Sequence, residues 1–208
     1  MTRKGGQISM KGMGKAISKQ RSFKQAAQAA FRRRLAMEKS MLINEFSLHP
    51  VTQEIEAGVN AENISNTLGG AGSDGKLFTF IGFGAAGRPT TPVKTIIREE
   101  INVTSVVSRV MPRPGATGNV PVASISVSLP PEGALSAATP LPWEPGKSWV
   151  RGIEEGISGF GHYMYKKFLR GRSKYGLQSK KKVRNASFRP VPYFHSMIQR
   201  FAQKLRRI

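Results

Sequence analysis

The stretch LFTFIGFGAAGRPTTPVKTII, residues 77–97, decides how the fold is read. A strand, then Gly82-x-Gly84-x-x-Gly87, then a helix is the outline of a dinucleotide-binding unit. Such a unit needs its helix to open inside the glycine motif, so that the first backbone amides face a pyrophosphate. Here Pro89 and Pro92 push the helix start to residue 92. The motif also requires an acid roughly 20 residues on, for the ribose. At that distance the chain reads Val106, Val107, Ser108, Arg109. No alternating βαβ pattern follows, so no nucleotide cofactor is expected and the glycines are read as a turn. Before that turn, Leu77, Thr79, Ile81 and Phe83 alternate with Phe78, Phe80 and Gly82. That alternation, apolar on both faces, predicts a buried strand over 77–83.

Beyond the turn, Val93, Ile96, Ile97 and Ile101 form the apolar face of a helix opened by Pro92. Two β-branched runs, 103–111 and 120–129, flank PRPGATGN and predict an antiparallel hairpin. A Pro/Ala/Ser-rich stretch, 130–142, reads as a loop. Trp149, Ile153, Ile157, Phe160, Met164 and Phe168 then follow a helical period, with Ser148 as the cap. Gly152, Gly156 and Gly159 lie on another face of that helix, which predicts either close backbone packing or a break. A last helix carries the stripe Phe194, Met197, Phe201, Leu205 and Ile208.

Upstream, Phe23, Ala27, Phe31, Leu35, Leu42 and Phe46 give one apolar stripe on a long helix that ends before Pro50. Residues 50–76 are polar and turn-rich, and read as a long loop with short pieces of structure. The expected organisation is a disordered basic arm (1–16), an amphipathic N-terminal helix (17–48) and an α+β core (49–169). A basic connector with a C-terminal helix (170–208) completes it. The expected fold class is α+β: a small, mostly antiparallel sheet packed with helices, with basic N- and C-terminal extensions.

Charge is unevenly spread along the 208 residues. Residues 1–40 hold 11 Lys/Arg against one acid, Glu38, and residues 162–208 hold 14 against none. The centre, 41–161, holds 8 against 11, within a net charge of +21. A near-neutral body with two basic ends points to a polyanionic or acidic partner, or to neutralisation in an assembly. Candidate contacts are Arg32, Arg33 and Arg34 on the first helix. Arg170, Arg172, Lys174, Lys180, Lys181, Lys182 and Arg184 are the candidates in the connector, with Tyr175 and Phe188 available to stack on bases. Trp149, Ile153, Ile157, Phe160, Phe194 and Phe201 are the candidate core or interface residues. The first 37 residues, acid-free and amphipathic, also have the composition of a transit peptide, but the helix runs on past Glu38.

The residues for chemistry are sparse. The chain has no cysteine and three histidines, His49, His162 and His195, without metal-ligand spacing. Glu154 and Glu155 are adjacent, as are Glu99 and Glu100, so on a helix each pair diverges by about 100° and cannot act as a dyad. No nucleophile–base pair is visible, and a non-enzymatic protein without cofactor or metal is expected. No run approaches the ~18 apolar residues of a spanning helix.

Two blocks carry a resemblance. HPVTQEIEAGVNAENISNTLGGAGSDGKLFTFIGF (49–83) and PWEPGKSWVRGIEEGISGFGHYMY (142–165) resemble neck and tail-completion proteins of tailed bacteriophages, as does RSKYGLQSKKK leading to FRPVPYFHSMI. The resemblance implies a non-catalytic, ring-forming subunit of the virion, assembled in the host cytoplasm. It would contact a portal or adaptor on one side and the tail on the other, with packaged DNA passing through. With so much positive charge, the basic tails are expected to face acidic neighbours, or outward, more than the channel. The alternative is a sequence-independent nucleic-acid-binding protein of ribosomal or nucleoid type.

Overall fold

Long-helix, hairpin and short-helix segments follow one another largely as the hydrophobic pattern dictates, with departures at residues 77–83 and 130–142. In the computed structural model the described residues are 16–69, 76–84, 87–112, 119–142, 144–156 and 187–206. The chain is α+β and divides into two compact units, 1–39 with 99–129, and 40–98 with 130–208.

Helix α1 (Arg21–Leu48) opens the described architecture, and its apolar stripe is graded along its length. Phe23, Ala27 and Phe31 are half-buried, whereas Leu35, Leu42 and Phe46 are buried. In the first unit, Lys39 Nζ donates to the Ile101 carbonyl at 3.0 Å. The hairpin of this unit pairs β2 (Asn102–Pro112) with β3 (Asn119–Ser128) antiparallel, with a bulge between Val103 and Ser105.

In the second unit, α2 (Pro50–Ala57) follows α1 almost directly, because Pro50 both ends one helix and suits the first position of the next. A 3₁₀ turn, Gly58–Asn60, leads to β1 (Leu68–Gly69), which pairs with β6 (Ser187–Phe188) far along the chain. The 50–76 region therefore holds short structured pieces, as its composition leads one to expect.

The expected strand at 77–83 is instead a five-residue helix, α3 (Leu77–Ile81). Gly82 ends it in the left-handed region at φ 87°, donating its amide to the Phe78 and Thr79 carbonyls. Leu77, Phe78 and Ile81 are buried, a spacing that one helical turn satisfies as well as a strand does. The glycines make a turn, but one that leaves a helix. The Gly87 amide donates to the Gly84 carbonyl at 2.8 Å, and a Cβ on Gly87 would meet that oxygen at 3.0 Å.

Helix α4 (Thr91–Glu99) buries Val93, Ile96 and Ile97. The expected loop at 130–142 contains a helix, α5 (Glu132–Ala138), and β4 (Pro140–Leu141), which pairs with β5 (Glu144–Ser148). Pro131 is the N-cap of α5, and Glu132 sits in its first turn, where a carboxylate suits the helix dipole.

Ser148 caps α6 (Trp149–Glu155), its Oγ accepting from the Arg151 amide at 3.3 Å. The helix breaks at Gly156, whose φ of 99° suits glycine and whose neighbour across the gap is Pro190. Helix α7 (Phe194–Arg206) closes the described chain.

The second unit's core is an aromatic cluster. Phe46 lies 5.6 Å from Tyr193 and 5.9 Å from Phe194 between ring centroids. Trp149 stands edge-on to Phe83 at 5.7 Å and is tilted by 43° against Tyr193 at 6.3 Å. The strands thus form three separate two-stranded antiparallel ribbons, with helices supplying most of the buried surface among the described residues.

Candidate interaction surfaces

Most of the described basic residues of the first unit lie on α1. Between residues 16 and 37 the sequence holds Lys19, Arg21, Lys24, Arg32, Arg33 and Arg34 and no acid. Arg32, Arg33 and Arg34 are exposed. Arg34 reaches forward to Glu38 at 2.9 Å, the i,i+4 spacing of a helical ion pair. Glu38 is itself buried, and its second carboxylate oxygen has no hydrogen-bond partner among the described residues. Arg34 is therefore partly spent on a buried acid, which leaves Arg32 and Arg33 as the outward pair.

The connector candidates Arg170, Arg172, Lys174, Lys180, Lys181, Lys182 and Arg184, together with Tyr175, Ile157 and Phe160, lie outside the described residues. Trp149, Ile153, Phe194 and Phe201 are buried within the second unit and serve its core. Phe188, expected to be free for stacking on bases, stacks instead on Phe80, with centroids 5.8 Å apart and planes 5° from parallel.

The second unit uses its acids and histidines structurally. Glu54 is fully buried on the inner face of α2 and accepts from three donors. Ser65 N and Oγ reach its Oε2 at 3.1 and 2.5 Å, and Leu77 N reaches its Oε1 at 3.1 Å. One carboxylate thereby ties the 61–69 segment to the start of α3. Glu154 accepts from the His195 amide at 2.6 Å, at the first turn of α7. Burial raises its pKa, against the pull of that hydrogen bond. Glu155 pairs with Arg151 in solvent at 2.8 Å. The two adjacent glutamates serve different elements, as their divergence on a helix requires.

His49 is the N-cap of α2, its Nδ1 accepting from the Val51 amide at 3.3 Å, and its ring packs 4.8 Å from Tyr193. His195 lies 2.9 Å from the Gln199 side chain, and His162 falls outside the described residues. Among the described residues no three His, Asp or Glu side chains cluster as metal ligands would.

The His49 geometry has a pH consequence. Burial lowers its pKa, opposed by a hydrogen bond to the Pro192 carbonyl, with Arg200 lowering it further and Glu45 raising it. A folded-state pKa below the unfolded value of ~6.5 means that the unfolded chain binds the extra proton first. Stability is then full above that pH and falls as the pH drops towards the lowered folded value. Asparagine is also a good N-cap but does not titrate. The difference in stability between wild type and His49→Asn, measured by urea unfolding, is expected to shift in favour of the variant as the pH falls from about 7 to about 5. A difference independent of pH would remove His49 from the acid response.

The hairpin is the surface that sequence reasoning did not single out. None of the described side chains on β2 or β3 is buried, and Val107 and Met111 are 47% and 50% exposed. Its register sets Val106, Ser108 and Val110 on one half-covered face, opposite Ile125, Ala123 and Pro121. Ser105, Val107, Arg109 and Met111 lie on the other face with Ser126, Ser124, Val122 and Val120. A signal was present in the sequence: 102–112 and 119–128 contain a single charged residue, Arg109. Solvent-facing ribbons are ordinarily protected by charge.

No helix among the described residues is long and apolar enough to cross a membrane. The chain matches no family model, no curated protein and no solved structure.

Proposed function

We propose that this protein is a structural, non-catalytic subunit of a tailed-bacteriophage neck, acting as a ring-forming oligomer at the head-to-tail connection. The observation that carries this reading is the β2–β3 hairpin, a long, nearly uncharged ribbon with no buried side chain among its described residues, on a strongly basic chain. A ribbon of that kind is marginal alone and acquires stability by being covered. The sequence blocks that resemble neck proteins support the same reading. Their residues His49, Thr52, Glu54, Ser148 and Trp149 cap helices, clasp a loop and fill a core, which are the tasks of a scaffold. Portal- or adaptor-side and tail-side virion proteins would be the hetero-partners. The basic ends would meet acidic neighbours or the packaged double-stranded DNA, and the place of action would be the virion.

A second reading has its own observation: the acid-free stretch 21–37 of α1, with exposed Arg32 and Arg33, suits phosphate contact by a sequence-independent nucleic-acid-binding protein. The mass of nuclease-treated protein, measured by multi-angle light scattering at low salt and at about 0.5 M salt, separates the two, since contacts to phosphate are screened there. A defined oligomer that persists at high salt is expected. A monomer that holds nucleic acid until salt strips it would replace the neck reading with the second one.

A further inference from the structure

We propose that the β2–β3 hairpin is the self-association arm of this protein. The outer edge of β3 in one copy pairs antiparallel with the outer edge of β2 in the next, head to tail. The inference rests on the oligomeric part of the neck reading and names the interface that part requires.

Three features lead to it. First, each strand has one edge that no other described strand pairs, since β2 and β3 form a two-stranded sheet by themselves. Unpaired N–H and C=O rows are templates for another strand, and chains that avoid pairing place lysines, prolines or inward charges along them. Here the only prolines on the two strands, Pro112 and Pro121, lie at or near the hairpin tip, and the only charge is Arg109.

Second, the two outer edges complement each other. β2 and β3 run antiparallel, so hairpins set side by side in the same orientation present β3 of one to β2 of its neighbour, again antiparallel. Every junction repeats the same contact, which is the heterologous geometry that closes into a ring when the rotation allows. Ten paired residues span about 34 Å and exchange about ten main-chain hydrogen bonds per junction.

Third, charge selects the occupant. Two copies at +21 each repel over most of their surface, and an uncharged ribbon is where like-charged copies can approach. Nucleic acid or an acidic protein would find on it one cation, Arg109, and would bind α1 or the basic ends instead. Pairing through backbone amides is also little affected by salt, unlike the basic surfaces.

The chain has no cysteine, so introduced ones report cleanly. Full-length Val107→Cys is mixed with a differently tagged copy carrying Val122→Cys, Ser124→Cys or Ser126→Cys, and treated with a bismaleimide spanning about 8 Å. That reach covers opposite and diagonal cross-strand neighbours. All four positions lie on one face of the ribbon by register. The expected result is crosslinks between the two kinds of copy, with few between two Val107→Cys copies. In parallel, Val107→Lys puts a lysine on the β2 strand of every junction, the charge by which edge strands avoid pairing. That variant is expected to run as a monomer with an unchanged far-ultraviolet circular dichroism spectrum. An oligomer of unaltered mass in the lysine variant, without mixed crosslinks, would overturn the hairpin arm and leave the ring reading standing. A wild-type monomer at every salt concentration would overturn both. Crosslinks mainly between Val107→Cys copies would replace the head-to-tail contact with a two-fold one.

Discussion

Replacing Glu54 by alanine is expected to remove about 3 kcal/mol of stability, one of the two largest losses for a single side chain in this protein. The carboxylate is fully buried and accepts hydrogen bonds from Ser65 N, Ser65 Oγ and Leu77 N. An unsatisfied buried donor costs about 1–3 kcal/mol; alanine would strand the buried Leu77 amide and leave the half-buried Ser65 amide to water, while the Ser65 hydroxyl keeps Thr67 Oγ1 at 2.9 Å. For a chain of this size each kcal/mol lowers the melting temperature by about 2–4 °C, so a fall of about 6–12 °C is expected by calorimetry. Glutamine keeps one acceptor oxygen and should lose roughly half as much. The damage should also be local: the Leu77 amide, held by Glu54 in the wild type, should exchange its hydrogen much faster in the variant. A Glu54→Ala protein that melts with the wild type would mean that Ser65 and Leu77 find other partners. The clasp would then be incidental to the fold.

Glu54 also shows which parts of this molecule are legible in its sequence. Long periodic segments are: the α1 stripe from Phe23 to Phe46 is the line along which burial runs, and Phe194, Met197 and Phe201 are the buried face of α7. Punctuation by special residues is legible too. Ser148 caps α6, Gly156 breaks it and Pro92 lies in the first turn of α4. What fails is the short apolar run. Leu77–Ile81 satisfies a strand period and one helical turn equally, and the decision is made by groups distant in sequence. Leu77 N is held by Glu54, 23 residues earlier and outside any window of seven residues. Gly82 lies inside that window, but a glycine there suits a turn after a strand as well as the left-handed end of a helix. Glu54 itself could have been found, since it lies between Val51, Thr52 and Ile55 on the buried side of α2, where an acid needs donors. The hairpin presents the opposite case. Its strands were readable from β-branched alternation, but its role as a surface depends on the lack of charge across both strands together, a property of the pair. The exposed arginines of α1 were readable as charge, whereas the part of Arg34 engaged with buried Glu38 was not.

The other large effect is expected at Tyr193, and two substitutions there should separate its ring from its hydroxyl. Tyr193 is fully buried between Phe46, His49 and Trp149, and its hydroxyl lies 2.6 Å from Thr52 Oγ1. Alanine would remove an aromatic ring from a packed core, a loss of about 3–5 kcal/mol. Phenylalanine keeps the ring and leaves the buried Thr52 hydroxyl without its partner, for about 1–2 kcal/mol. Because threonine and tyrosine satisfy each other, Thr52→Val should be less harmful in the Tyr193→Phe background than in the wild type, and a double-mutant cycle should give a coupling of about 1 kcal/mol. Additive effects would mean that each hydroxyl has another partner. Ionisation offers an independent reading of the same site. Burial raises the Tyr193 pKa far above the ordinary phenol value, with the Thr52 hydrogen bond opposing it and Glu56 and Glu154 adding to it. The neutral phenol therefore belongs to the folded state. Its contribution is fully present below the unfolded pKa of about 10 and is lost as the pH rises beyond it. Tyr193 should resist ionisation in an ultraviolet titration until the protein unfolds. In Tyr193→Phe the late step should lose the amplitude of one tyrosine. A late step that survives the substitution at full amplitude would assign the buried phenol to another tyrosine and leave Tyr193 accessible to hydroxide.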